Sequence, residues 1–317
     1  MKQRQTGVQD RPTSVRDSSR TAAAFDLEGY LCGRAAEVEE ALAASVKARD
    51  GAAGRLFEAM RYSLLAGGKR LRPILTLAAC EAVGGRPEQA MNFACAIEMI
   101  HTYSLIHDDL PCMDDDDLRR GRPTNHKVYG EAIATLAGDG LLTDAFKVVA
   151  DGNGAPPATI VAAIAELAEA AGSAGMVGGQ VIDLLGEGQT LSLQDLEVLH
   201  GKKTGALFTA AVCGGARFGG ASAAQLTALR EYARALGLAF QVADDLLDVE
   251  ASSADIGKRT GKDEARGKAT YPSLIGVDRS REFARELARR ADAALAGFGD
   301  KAEALRAIAA FAVERKL

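Results

Sequence analysis

The chain of 317 residues contains no tryptophan, and aromatic residues make up only 5% of it. Hydrophobic residues still reach 47%, with abundant alanine, so the core is expected to consist of closely packed helices. The five cysteines form no Cys-x-x-Cys pair, and their odd number argues against a secreted disulfide framework. No apolar signal segment opens the sequence. These features together favour a reduced cytosolic location.

A run of about 18 uncharged apolar residues is also lacking, so we expect no stable membrane insertion. The net charge of −5 gives no reason to expect nucleic acid as a partner. Any basic surface must therefore be local.

Strand signals are nearly absent. β-Branched residues are scattered, and no Asn-Gly or Asp-Gly turn separates two alternating runs. Apolar residues instead recur at helical spacing, as in Leu56, Met60 and Leu64. Residues 1–24 are polar and are expected to form a disordered tail, whereas residues 25–317 are predicted to form one all-α domain.

Two groups of aspartates lie around a proline: Asp108-Asp109, then residues 114–117. A largely apolar helix is predicted from about Ala90 to the first pair, and carboxylates at its end repel one another unless a cation lies between them. Mg²⁺ suits this need because it binds one or two carboxylates plus substrate phosphate oxygens. Arginines capable of bidentate phosphate contacts follow at once: Arg119, Arg120 and Arg122. The stretch therefore predicts a diphosphate site.

Two other interpretations of this acidic run were weighed. A solvated acidic surface is the ordinary explanation for an isolated run. A calcium loop fits poorly, because counting from Asp114 puts leucine at the fifth position and no glutamate at the twelfth.

A second acidic cluster favours the metal interpretation. Asp244 and Asp248 are four residues apart, so they share one face of a predicted helix with apolar flanks. Like charges at that spacing destabilise a bare helix, so this cluster also calls for a cation.

The paired motifs Asp108-Asp109-x4-Asp114 and Asp244-Asp245-x2-Asp248 resemble those of the trans-prenyltransferases, the short-chain isoprenyl diphosphate synthases. The resemblance extends from residues 67–73 (Gly-Gly-Lys-Arg-Leu-Arg-Pro) through Lys203-Thr204-Gly205 to residues 267–272. It implies an antiparallel helical bundle of the isoprenoid synthase type around a central cavity. It also implies a homodimer, three Mg²⁺ ions, and isopentenyl and allylic diphosphates as substrates.

The resemblance assigns roles residue by residue. Metal ligands would be Asp108, Asp109, Asp114 and Asp244. Lys69, Arg72, His101 and Arg120 would bind isopentenyl diphosphate. Arg119, Lys258 and Lys268 would bind the allylic diphosphate, with Lys203, Thr204 and Gln241 acting at the departing diphosphate. Without the resemblance, the ordinary interpretation is that Lys69 and Arg72 are solvent-exposed charges on a loop. His101 would be interpreted as a core histidine whose hydrogen bonds are satisfied within the protein.

Product length is expected to depend on Tyr103, which precedes Asp108 by five residues. At 1.5 Å per residue, Tyr103 lies about 7.5 Å from Asp108 along the helix, further into the cavity where the product grows. An aromatic residue there resembles the farnesyl-forming bacterial enzymes, while Ser104 is too small to block a chain by itself. The sequence analysis therefore predicts a C15 product. The neighbouring residues 110–113 resemble geranylgeranyl-forming enzymes, so C20 stays as the alternative.

Two rivals from other functional classes remain. A terpene cyclase would pair one aspartate-rich motif with an Asn/Ser/Glu-type triad and would need no second diphosphate site. A non-catalytic subunit of a synthase would be expected to lack some motif residues, and here none is missing.

Overall fold

The protein is described from a computed structural model that covers residues 25–189, 191–254 and 269–314. The predicted disordered tail lies outside these residues, and so do Lys258 and Lys268. The expected domain boundary near residue 25 stays a prediction.

Helices dominate the described residues. They are α1 (Leu27–Ser45), α2 (Gly54–Leu64), α3 (Leu71–Ala82), α4 (Pro87–Asp108), α5 (Asn125–Tyr129), α6 (Glu131–Ala150), α7 (Pro157–Ala171), α8 (Met176–Gly186), α9 (Leu193–His200), α10 (Ala206–Phe218), α11 (Ala223–Ala254), α12 (Tyr271–Ile275), α13 (Val277–Ala294) and α14 (Glu303–Glu314). Short 3₁₀ turns cover Gly152–Gly154 and Ala296–Ala302.

Helix α4 is the central element of the bundle. It is buried on most of its circumference, as expected of a helix that is apolar nearly all round. It packs against α3, α6 and α10, and its side chains, among them Phe93, Ile97 and Ile100, belong to the main core cluster. Burial therefore continues along α4 until Asp108, where the helix ends. The predicted all-α fold is confirmed.

A small antiparallel hairpin interrupts the helices directly after the first acidic motif. Strands β1 (Leu118–Arg119) and β2 (Arg122–Pro123) pair across a two-residue turn. Both turn residues have positive φ, 53° at Arg120 and 74° at Gly121, as a type I′ turn requires. The sequence analysis did not foresee this hairpin, because arginine is an unusual residue for a left-handed turn position.

Residues 157–186 are long and apolar enough to span a membrane by length and composition, with a mean hydropathy of 1.5. In the structure this segment is two helices, α7 and α8, separated at residues 172–175. Each helix is tied to the bundle by a carboxylate: Glu166 pairs with Arg217, and Asp183 pairs with Lys203. Only 33% of the apolar window is buried, so these helices also present apolar side chains outward.

Candidate active site

The first acidic motif begins where α4 ends. Asp108 is the last residue of the helix, and the chain then folds back so that the Asp114 N–H donates to the Asp108 carbonyl at 2.8 Å. Two further backbone bonds, from Met113 and Asp115 to the Leu110 carbonyl, close the loop. The spacing Asp-Asp-x4-Asp thus brings the backbones of Asp108 and Asp114 together.

The surroundings of Asp108 oppose its ionisation, chiefly through burial. Burial, with the nearby charges of Asp114 and Asp109, raises the pKa of Asp108 to about 6, although Lys203 and Arg119 act in the opposite direction. A carboxylate in this position would be stabilised by a further cation.

The donor set suits Mg²⁺ shared with a substrate. Among the described residues, no three His, Cys, Asp or Glu side chains lie close enough together to ligate one ion. Mg²⁺ sites are commonly completed by substrate phosphate oxygens and water around one or two carboxylates. The acidic motifs therefore fit an ion that a diphosphate helps to hold.

Asp109 makes a different set of contacts from its neighbour. It is 3% exposed, and its carboxylate accepts hydrogen bonds from Arg119 Nε to both oxygens at 2.9 Å and from Arg119 Nη2 at 2.6 Å. Burial is the largest single effect on Arg119 and works against its charge, but the hydrogen bond with Asp109 and the charges of Asp109, Asp108 and Asp116 together raise the pKa of the guanidinium. The pair fixes the direction of Arg119, which lies 10 residues further along the chain. The prediction that Asp109 ligates a metal is untested, and its geometry supports a role in orienting Arg119.

Arg72 and His101 form the second cationic part of the site. Arg72 lies in the first turn of α3, with its guanidinium 4.8 Å from the centre of the Phe208 ring and its Nη1 3.4 Å from His101 Nε2. Burial and the charge of Arg72 hold the pKa of His101 well below its usual value, so the imidazole is neutral. Since arginine can only donate, Nε2 is the acceptor and the ring proton is on Nδ1. The Arg72 Nε is buried without a hydrogen-bond partner, as expected of a donor that binds an anionic ligand.

The loop between α2 and α3 lies beside this pair. Arg120, in the hairpin turn, donates from Nη1 to the Gly67 carbonyl. Gly68 has φ of 142°, and a Cβ there would collide with the Arg120 guanidinium. Lys69, the next residue, is exposed. The close approach therefore joins the hairpin of the first acidic motif to the glycine loop.

A π-helical turn, Gly201–Gly205, connects α9 and α10 and carries Lys203 and Thr204, two of the three predicted catalytic residues. Such turns are frequent at functional sites. Lys203 Nζ donates to Asp183 of α8 at 2.6 Å, and Thr204 Oγ1 donates to Gln241 Oε1 at 3.2 Å. The α8 backbone can approach this closely because residue 179 is glycine, where any Cβ would collide with the Lys203 backbone.

Part of this set lines one cavity of about 460 Å³. Its charged end is lined by Arg72, His101, Asp108, Lys203 and Thr204. Its apolar part runs along α4 and α8 past Tyr103, Ser104, Val177, Val181 and Leu184. The arrangement can hold an anionic head group next to a long apolar chain.

The Polyprenyl synthetase family profile matches residues 54–308. The chain belongs to the polyprenyl synthetase family. It is 51% identical over 298 residues to a chloroplastic geranylgeranyl pyrophosphate synthase from Catharanthus roseus, covering 93% of this chain and 83% of the relative. A dimethylallyltranstransferase from Fischerella ambigua is 50% identical over 297 residues, covering 93% and 85%.

Among solved structures, an FPP/GFPP synthase from Zymomonas mobilis superposes with a TM-score of 0.82 at 41% identity. The match covers 90% of this polyprenyl synthetase and 98% of that chain. The fold and the prenyltransferase class are therefore shown.

Seven of the predicted site residues line the 460 Å³ cavity: Arg72, His101, Tyr103, Ser104, Asp108, Lys203 and Thr204. Asp109, Arg119 and Arg120 line a separate cavity of about 40 Å³. Gln241 lies behind Thr204, lining a smaller cavity of about 190 Å³ with Lys203 and Asp245. Asp244 lies on α11, and its charge raises the pKa of Arg72 against the larger lowering by burial. The roles predicted for these residues are not tested by the fold alone, and Lys258 and Lys268 lie outside the described residues.

Sequence reasoning missed several residues of this polyprenyl synthetase. It gave no role to Glu98 or Arg70, whose side chains form a buried ion pair beneath the α2–α3 loop. The signal for Glu98 was present, since a glutamate in the apolar run from Ala90 to Ile106 is costly to bury without a partner.

Proposed function

We propose that this polyprenyl synthetase condenses isopentenyl diphosphate with an allylic diphosphate and extends the product to geranylgeranyl diphosphate, C20. One observation carries the proposal. Asp108, Lys203, Arg72 and His101 all line one cavity whose remaining lining is largely apolar. Two diphosphate pockets facing one dry well are what head-to-tail prenyl transfer requires.

The first step is loss of the allylic diphosphate. Asp108, Asp114 and Asp244 would hold Mg²⁺, which when bound neutralises the charge that develops on the leaving oxygen. Lys203, oriented by Asp183, and Arg119, oriented by Asp109, would bind the departing group. The Thr204 hydroxyl, which donates to Gln241, directs its lone pairs away from that amide and can face the allylic cation.

The second step forms the carbon–carbon bond. Arg72 and Arg120, with Lys69 and neutral His101, would place isopentenyl diphosphate so that its C4 attacks C1 of the allylic cation. The C2 proton is then lost to the released diphosphate, which leaves a new allylic diphosphate five carbons longer. Apolar side chains that line the cavity, among them Leu110 and Leu207, would exclude the water that otherwise quenches the cation.

Two observations support C20 as the product. The relatives of about half identity include several geranylgeranyl pyrophosphate synthases. In addition, Tyr103 is only 6% exposed, packs edge-on to His107 at 5.7 Å and belongs to the main core cluster. The cavity is also lined by Val177, Val181 and Leu184 of α8, which offer an apolar wall for a longer chain beside the Tyr103 ring.

The second candidate is farnesyl diphosphate, C15, which the sequence analysis favoured. Its support is that Tyr103 does line the cavity, five residues from Asp108, and that the solved relative from Zymomonas mobilis is titled an FPP/GFPP synthase. The two candidates differ in whether the Tyr103 ring stops the chain or lies beside it.

Product analysis tests both candidates. Purified protein is incubated with labelled isopentenyl diphosphate and dimethylallyl, geranyl or farnesyl diphosphate, and the dephosphorylated products are separated by chromatography. We expect C20 from all three primers, whereas accumulation of C15 and failure to extend farnesyl diphosphate would favour the second candidate. A terpene cyclase would release hydrocarbon without consuming isopentenyl diphosphate. A non-catalytic subunit would release no diphosphate when assayed alone.

We also propose that the protein is a homodimer. The support is outward apolar surface: Leu136 on α6 is 52% exposed and Val161 on α7 is 67% exposed. Light scattering after size exclusion tests this, with Val161→Asp expected to weaken the dimer and the exposed α1 variant Glu40→Asp as control. A monomeric wild-type protein at micromolar concentration would refute it.

A further inference from the structure

The glycine loop of the proposed isopentenyl diphosphate site is anchored by a charge network that the catalytic scheme does not use. Arg70 lies between Lys69 and Arg72 in sequence, but its side chain points the other way and is 1% exposed. Its guanidinium donates to Glu39 of α1 at 2.7 Å, to Glu98 of α4 at 2.5 Å and to the Leu64 carbonyl at 2.6 Å.

These three contacts use the whole fork of the guanidinium. They connect the α2–α3 loop with α1, with the last turn of α2 and with the central helix. Lysine has a single point of charge and could not span these partners. The backbone at Arg70 also has φ of 45°, a left-handed conformation that costs free energy in a non-glycine residue and persists only where contacts hold it.

Glu98 links this anchor with the substrate side of the loop. It is 3% exposed and lies three residues before His101, hence one turn away on the same face of α4. Burial lowers the pKa of Arg72, and the charge of Glu98 is the largest effect in the opposite direction. One carboxylate therefore pairs with Arg70 and also favours the charged form of Arg72.

We propose that Arg70 and Glu98 are positioning residues for isopentenyl diphosphate: their buried ion pair holds the left-handed turn that directs Lys69 and Arg72 to the ligand. The proposal rests on the proposed function for the identity of the ligand. Neither residue lines the 460 Å³ cavity. Arg120 closes the same loop from the other side through the Gly67 carbonyl, so the loop is held at both ends.

The test compares Michaelis constants for the two substrates in Glu98→Gln and Arg70→Lys. We expect the KM for isopentenyl diphosphate to rise about tenfold, with the KM for the allylic substrate changed by less than about twofold. A role confined to stability would lower active protein without separating the two constants. The matched control is Glu81→Gln, which breaks a half-buried pair with Arg34 on α1 and should leave both constants unchanged.

A second variant separates loss of the positioning role from loss of folded protein. Arg70→Met with Glu98→Leu replaces the buried pair by apolar side chains, and such replacements are often neutral for stability. We expect this double variant to retain its melting temperature within a few degrees but to keep the raised KM for isopentenyl diphosphate. An unchanged constant in a stably folded double variant would overturn the proposal.

Calorimetric binding of isopentenyl diphosphate separates this proposal from the proposed function. Wild-type protein that binds the ligand tightly but forms no product would refute the function, while weaker binding by Glu98→Gln would still uphold the positioning role. Normal wild-type turnover with equal binding by Glu98→Gln would overturn the positioning role alone. Wild-type protein that neither binds nor consumes the ligand would overturn both.

Discussion

Asp108 and Asp109 are adjacent and both are largely buried, but only Asp109 is hydrogen-bonded to Arg119, and Asp109→Asn tests that difference. Asparagine retains the shape of aspartate and removes the charge that three Arg119 contacts require. If Asp109 orients Arg119, the substitution should raise the KM for the allylic diphosphate and leave the Mg²⁺ concentration for half-maximal activity nearly unchanged. Asp108→Asn should instead raise that Mg²⁺ concentration sharply or abolish turnover.

The magnitude follows from the burial of the pair. A hydrogen bond to a charged group contributes roughly 1.5–3 kcal/mol. The Arg119 side chain is 34% exposed, so water can compensate part of the loss, and we expect the lower end of that range. The free energy of unfolding should therefore fall by about 1.5–2 kcal/mol in urea denaturation.

The assay is a Mg²⁺ titration of initial rates at saturating substrate, run in parallel for wild type, Asp108→Asn and Asp109→Asn. Arg119→Lys is the partner control, since it also breaks the bidentate contact and should reproduce the allylic KM change. If Asp109→Asn shifted the Mg²⁺ requirement as far as Asp108→Asn, Asp109 would be a ligand and the reasoning from its contacts would be refuted.

Three further predictions follow from the site and its surroundings. Asp108→Ala or Asp244→Ala should abolish turnover while circular dichroism shows an unchanged helical fold; full activity of either variant in EDTA-treated buffer would contradict the metal role. Lys69→Ala and Arg72→Ala should raise the KM for isopentenyl diphosphate about ten- to a hundredfold and that for the allylic substrate much less, in steady-state kinetics; equal effects would contradict two separate pockets. Burial lowers the pKa of His200 to about 4, so between about pH 4 and 6.5 the unfolded chain binds a proton that the folded chain does not. The free energy of unfolding should therefore fall by up to roughly 3 kcal/mol as the pH is lowered from about 6.5 to about 4. His200→Phe, which can keep the stack on Tyr271, should flatten this part of the urea-denaturation profile; an identical pH slope in the variant would refute the assignment.

The parts of the fold that the sequence predicted are those in which local pattern and burial agree. Helix α4 follows from an apolar run that ends at Asp108, because the aspartate pair interrupts the apolar pattern and marks the site. The π turn at Gly201–Gly205 had no such signal, since a wider turn within a continuous helix leaves the apolar period almost unchanged.

The types of residue in the site were predictable from the sequence, but the orientations of their side chains were not. Lys69, Arg70 and Arg72 look alike in sequence, and only tertiary contacts show that Arg70 turns inward to Glu98. Asp109 likewise differs from Asp108 through its contact with Arg119, which lies on the first strand of the hairpin. Ion pairs between distant segments depend on the folded arrangement, which spacing does not encode.

Whether the Tyr103 ring limits the depth of the cavity was the feature hardest to predict from the sequence. Sequence position gives its depth along α4, but the rotamer of the ring and its contact with His107 decide whether it blocks the cavity. Tyr103→Ala separates the two cases, because enlarging a wall beside the chain should change the product distribution less than removing a floor.

Formation of geranylgeranyl diphosphate is tested most directly by a single-turnover incubation of the purified protein with farnesyl diphosphate, labelled isopentenyl diphosphate and Mg²⁺, followed by chain-length analysis. We expect one labelled C20 product, released diphosphate in equal amount, and loss of both in EDTA. Diphosphate release without incorporation of label, or no reaction with any allylic primer, would contradict that expectation.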